Sequence, residues 1–92
     1  MIVLIIEGFV PSTRGKISQW LIEPKPGVFV GNLSGRVREE IWNLIQGEMV
    51  ERSRATLIYK SNNEQGFEIK QCGHLKRNVV RIDGLDLIEI KK

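Results

Sequence analysis

Ile2 to Ile6 is an unbroken apolar run closed by Glu7, and such a run predicts a strand buried on both faces and central in its sheet. Pro11 ends that region. Beyond it, Ile17, Trp20 and Leu21 recur at the spacing of one helical face, with Ser12 or Thr13 placed to cap the helix and Pro24 and Pro26 to stop it. Val28–Val30, between Gly27 and Gly31, reads as a short strand. Ser34 is a good N-cap for a second helix whose apolar stripe is Val37, Ile41, Leu44 and Ile45, and Gly47 is placed to end it. The period then changes from helix to strand. Ala55–Tyr59 and Phe67–Cys72 predict two paired strands around the loop Ser61–Gly66, with Phe67 and Ile69 alternating against Glu68 and Lys70. After a basic loop, His74–Asn78, the runs Val79–Ile82 and Leu85–Ile90 flank Asp83-Gly84, a hairpin signal. The last run is expected to be an edge strand or a strand lent to a partner.

This order of elements is α+β. Two helices on one face of a mainly antiparallel sheet are expected to bury Trp20 and Trp42 between the layers, leaving the other sheet face for a second copy to cover. The chain has 92 residues, which predicts a single domain over 1–92 with a modest core, burying about 60–65% of the surface of the unfolded chain. Hydrophobic residues make up 41% and charged residues 27%, the composition of a folded globular protein rather than a disordered tail. Fourteen Lys and Arg against 11 Asp and Glu give a net charge of +3, which favours polyanions only if the cations cluster. One cysteine, Cys72, has no partner for a disulfide, so a reducing, cytoplasmic location is expected. The apolar opening run is too short to span a bilayer, and no membrane segment is expected.

Four basic residues, Arg14, Lys16, Lys76 and Arg77, are the candidates for DNA contact. Arg14 is expected in the first turn of its helix, where free backbone N–H groups favour phosphate and a guanidinium adds a bidentate grip. Cations there oppose the helix dipole, which points to a purpose other than stability. Such contacts read phosphate rather than base, so binding is expected to be indifferent to sequence and steeply dependent on salt. Base stacking is not expected, because the aromatic residues fall at core positions. Glu7 is the candidate for chemistry; its alternative is an ordinary strand-end acid paired with Arg14 or Lys16. His74 has neither a second histidine nor a neighbouring acid to orient it as a base, and Cys72 reads as a small buried apolar residue. Glu64 and Asp83 are acids at turns, where turn chemistry alone accounts for them.

The blocks Glu7, Pro11 with Arg14-Gly15, Trp20-Leu21, Gly27-Val28-Phe29-Val30-Gly31, Arg38-Glu39 with Ile41-Trp42, Glu64-Gln65-Gly66-Phe67-Glu68 and Asp83-Gly84-Leu85 run in order through the chain. Together they resemble the type I-E branch of the Cas-two family, the small CRISPR adaptation protein that works with the Cas-one integrase. The resemblance implies a ferredoxin-like fold and a homodimer packed sheet against sheet; the C-terminal strand pair is the candidate for exchange between its copies. It also implies a platform for double-stranded DNA between Cas-one subunits during spacer acquisition. In that reading Arg14 and the Lys76-Arg77 pair match backbone-contacting positions, while Ser12 stands where relatives carry another arginine. Glu64, Asp83, Leu85, Leu87 and Ile88 become the surface for Cas-one. Glu7 matches the position of a metal-binding aspartate, which leaves open a magnesium-dependent endonuclease with Glu7 paired across a dimer axis. A protein-interaction module without nucleic acid is the third alternative.

Overall fold

The computed structural model describes residues 1–73 and, as backbone strands, residues 77–82 and 85–90. In chain order the elements are β1 (Ile2–Glu7), α1 (Pro11–Ile17), β2 (Ile22–Lys25), β3 (Val28–Gly31), α2 (Gly35–Gly47), β4 (Arg54–Lys60), β5 (Phe67–Gly73), β6 (Arg77–Ile82) and β7 (Leu85–Ile90). The first five strands form one antiparallel sheet in the order β2-β3-β1-β4-β5. The α1 crossover therefore brings β2 back parallel to β1 with β3 between them, and α2 carries the chain across to β4 on the other side of β1. This is a ferredoxin-like arrangement with β5 added at one edge. β6 and β7 pair with one another as a separate two-stranded sheet, Ile82 opposite Leu85. The connection at 83–84, with Asp83-Gly84, lies outside the described residues.

Both helices lie on one face of the large sheet, and the core between them holds Ile2, Leu4, Ile6, Phe29, Ala55, Leu57 and Tyr59 from the strands with Ile17, Leu21, Ile41, Trp42 and Ile45 from the helical side. α2 forms as its pattern predicts: the Ser34 hydroxyl accepts from the Val37 N–H at 3.3 Å, and Ile41, Trp42 and Ile45 face inward.

Several expectations are corrected. β1 is central, but burial along it alternates, with Ile2, Leu4 and Ile6 buried while Ile5 is 36% exposed. α1 has only seven residues, with Pro11 as its first residue and Val10 as N-cap without a side-chain cap. Neither Ser12 nor Thr13 caps it; Thr13 is fully buried instead. The chain leaves the helix because the Ile17 carbonyl accepts both the Trp20 and the Leu21 N–H groups, closing a turn. Leu21 still reaches the core from this turn, whereas Trp20 is 48% exposed. Pro24 does not merely stop a helix: it lies in β2, an edge strand that the sequence pattern did not predict, where a missing N–H costs no ladder bond if it faces outward. Residues 77 and 78 belong to β6 rather than to a basic loop.

Candidate nucleic-acid interface

The brevity of α1 changes the meaning of its cations. Arg14 and Lys16 fall in its last turn rather than its first, so they complement the negative end of the helix dipole instead of opposing it. Each also has an acidic partner from a distant segment. Arg14 Nη2 and Nε donate to one oxygen, Glu23 Oε2, at 2.6 and 2.9 Å. Lys16 is paired with Glu48, just beyond α2. Even so, the Arg14 and Lys16 side chains remain 44% and 51% exposed.

Arg14 borders an open cleft of about 230 Å³ at the end of β1, together with Glu7, Phe9 and Gly27. Gly27 is required there: its φ is +79°, and a Cβ would stand 2.6 Å from the Ile6 carbonyl oxygen. The Ile6 N–H donates to the Gly27 carbonyl at 2.8 Å, fastening the β2–β3 turn to β1. Glu23 Oε2 closes the same turn by accepting the Gly27 N–H at 2.8 Å.

Glu7 pairs with neither Arg14 nor Lys16. It stands opposite Arg54 in the sheet, with Arg54 Nη1 at 3.9 Å from its carboxylate. Among the described residues no group of three or more His, Cys, Asp or Glu side chains is placed to hold a metal ion. One carboxylate beside a guanidinium is a poor donor set for magnesium, so the described residues of one chain do not fit that ion. A site built on Glu7 needs the second copy.

A denser polar network, not foreseen from the sequence, lies where α2 crosses β4 and β5. The Arg38 guanidinium stacks 3.8 Å from the centre of the Tyr59 ring, and the Tyr59 hydroxyl donates to Glu68 at 2.5 Å. Lys70 Nζ bonds Glu39 at 3.0 Å. Burial first, and the Glu68 carboxylate second, push the Tyr59 phenol up to about 12. This ties helix to sheet. The only hint in the sequence is the Arg38-Glu39 pair at the start of α2, which does not reveal its partners.

Two carboxylates are held below their ordinary range: Glu23, chiefly by the Gly27 N–H, and Glu39, chiefly by Lys70. A lowered native pKa stabilises the fold above the reference value of 4.5, and that contribution disappears as pH falls through the lower native value. Thermal unfolding followed by circular dichroism should therefore show a midpoint falling below about pH 4.5. Glu39→Gln should give a shallower acid limb than the wild-type protein; an identical limb would mean that the Lys70 pair does not act in solution.

The remaining candidates are more sparsely placed. Glu64 is exposed in the turn between β4 and β5. Cys72 is half-buried on β5 opposite Ala55, and burial pushes its thiol up, away from the reactive thiolate. Arg77 opens β6, and Leu85, Leu87 and Ile88 lie in β7; their side chains are outside the described residues, as are His74, Lys76 and Asp83. No helix among the described residues is long and apolar enough to cross a membrane.

The split crossover sheet, the two helices on one face and the appended strand pair define a small ferredoxin-like α+β protein whose candidate site is a cationic helix beside a cleft. A model of the family described as CRISPR-associated protein (Cas_Cas2CT1978) matches residues 1–87. The chain belongs to this Cas-two-type, CRISPR-associated family.

Proposed function

We propose that this protein is the type I-E kind of Cas-two: a homodimeric scaffold that binds the backbone of double-stranded DNA without sequence preference and holds the Cas-one integrase during spacer acquisition. The reading rests on the family match over residues 1–87, and in the structure on the exposure that Arg14 and Lys16 keep despite their ion pairs. An arginine engaged along one edge retains N–H donors for phosphate. The dimer is proposed to form across the sheet face away from the helices, where Val3, Val28, Val30 and Ile58 are half-buried and Ile5 is exposed. Glu64 and the β6–β7 pair, including Asp83, Leu85, Leu87 and Ile88, are proposed as the Cas-one surface, with main-chain pairing for affinity and acids for register. Lys76 and Arg77 extend the proposed DNA contacts.

Duplex binding across a salt series tests this. Arg14→Ala is expected to weaken duplex binding about tenfold, as for loss of one charge-assisted contact, and to make the salt dependence shallower. Wild-type affinity in the Arg14→Ala protein would remove Arg14 from the interface. The endonuclease reading is favoured by one observation, that Glu7 lies on the same sheet face as Ile5 and would approach its copy there. Magnesium-dependent cleavage abolished by Glu7→Ala would establish it; cleavage that persists would exclude Glu7.

A further inference from the structure

We infer that Glu23 is a positioning residue for Arg14, fixing the guanidinium so that its outer edge is presented to a DNA phosphate; this rests on the DNA-binding reading above. Three donors converge on one oxygen of Glu23: Arg14 Nε at 2.9 Å, Arg14 Nη2 at 2.6 Å and the Gly27 N–H at 2.8 Å. The guanidinium is planar, so holding its Nε–Nη2 edge sets the direction of its Nη1–Nη2 edge. Nη1 takes no hydrogen bond among the described residues, and the Arg14 side chain stays 44% exposed.

Glu23 can hold an arginine firmly because it is itself held. Prolines 24 and 26 stiffen the chain on its C-terminal side, the Gly27 N–H donates to its carboxylate, and the Ile6 N–H donates to the Gly27 carbonyl. The guanidinium is thus referenced to the central strand, although it sits on a helix of only seven residues. An arginine ordered in advance has less side-chain entropy left to lose when phosphate arrives.

The charge of Glu23 acts in the opposite sense. A carboxylate beside an arriving phosphate repels it, so simple electrostatics predicts that removing Glu23 tightens binding. At physiological ionic strength that repulsion is screened over about 8 Å, and the positioning effect dominates. The two effects differ in sign, which makes the inference decidable.

The full chain is titrated with a fluorescein-labelled duplex of random sequence at physiological ionic strength, with thermal melts confirming that each variant is folded. Glu23→Ala is expected to bind about three- to tenfold more weakly than wild type despite its extra net positive charge. Glu23→Asp, which keeps the charge but withdraws the oxygen by one methylene, should also weaken binding. Glu23→Gln keeps an acceptor for Arg14 and Gly27 without the charge, and should bind at least as tightly as wild type. Arg14→Ala with Glu23→Ala should match Arg14→Ala alone. If Arg14→Ala weakens binding while Glu23→Ala and Glu23→Asp bind like wild type or tighter, the inference fails and the DNA-binding reading survives. An equal loss from Glu23→Ala in the presence and absence of Arg14 would likewise overturn it, showing that Glu23 acts on the fold and not through Arg14. If Arg14→Ala binds like wild type, both fail.

Discussion

Phe29→Ala is expected to destabilise the protein by about 3–5 kcal/mol and to lower its thermal midpoint by roughly 12–40 °C. The size of the effect follows from position. Phe29 is fully buried on β3, next to the central strand and opposite Leu4, which is also fully buried. Its ring belongs to the cluster that joins the sheet to Ile17 of α1 and to Ile41 and Ile45 of α2. Truncation removes apolar contact and leaves a cavity that two helices and a sheet can only partly collapse into. For a chain of this size the whole stability is of order 5–10 kcal/mol, so one such cavity consumes much of it. Urea and thermal unfolding monitored by circular dichroism measure the loss. Phe29→Leu, which keeps most of the volume, should cost distinctly less. An unchanged midpoint for Phe29→Ala would mean that this cluster is not the core.

The elements that were legible in the sequence are those whose signals are local. The Ser34 cap and the stripe through Ile41 and Ile45 specify α2 within a dozen residues, and the two runs on either side of Ser61–Gly66 specify the β4–β5 hairpin. β2 was hidden because its four residues, Ile22–Lys25, include a proline, and proline reads as a stop unless the strand is known to lie at an edge. α1 was overextended because Trp20 and Leu21 continue the helical spacing in sequence, while in space a turn closed on the Ile17 carbonyl delivers Leu21 to the core. The length of the helix decides the site as well: in so short a helix the Arg14 and Lys16 charges fall in the last turn and suit its dipole. Their acidic partners could not be read at all, since Glu23 lies nine residues from Arg14 and Glu48 lies 32 residues from Lys16. Those pairs exist only once the crossover and α2 have folded. Glu23 carries one local signal, a carboxylate just ahead of Pro24 and Pro26 and four residues before Gly27. Without the turn geometry, nothing links that spacing to Arg14.

The remaining discrepancy, an unbroken apolar run in β1 that one chain buries on one face only, leads to the second large effect. Ile5→Glu is expected to convert the proposed homodimer to monomer while leaving the protomer folded. Cross-strand register places Ile5 on the same face as Val28 and Thr56, opposite to the core, and it is 36% exposed and outside the core cluster. The same face carries Val3, Val30, Ile58 and Phe67, from four different strands. An apolar surface of this kind on a small protein suits the proposed dimer, in which a two-fold pairing of sheets would use each residue twice. Fully burying an isoleucine side chain is worth about 1.5–3 kcal/mol, and with Ile5 36% exposed in the protomer the part left to bury in two copies contributes about 1–2 kcal/mol. Losing that term alone raises the dimer dissociation constant by roughly 5- to 30-fold. Burying two carboxylates near the axis adds to the loss. Sedimentation velocity over a concentration series reads the outcome, and far-ultraviolet circular dichroism confirms the fold of the variant. A wild-type protein that sediments as a monomer throughout, or an Ile5→Glu protein that dimerises with unchanged affinity, would place any dimer interface elsewhere. Monomerisation with the fold intact would show that the apolar run in β1 serves two buried faces, one within the protomer and one between protomers.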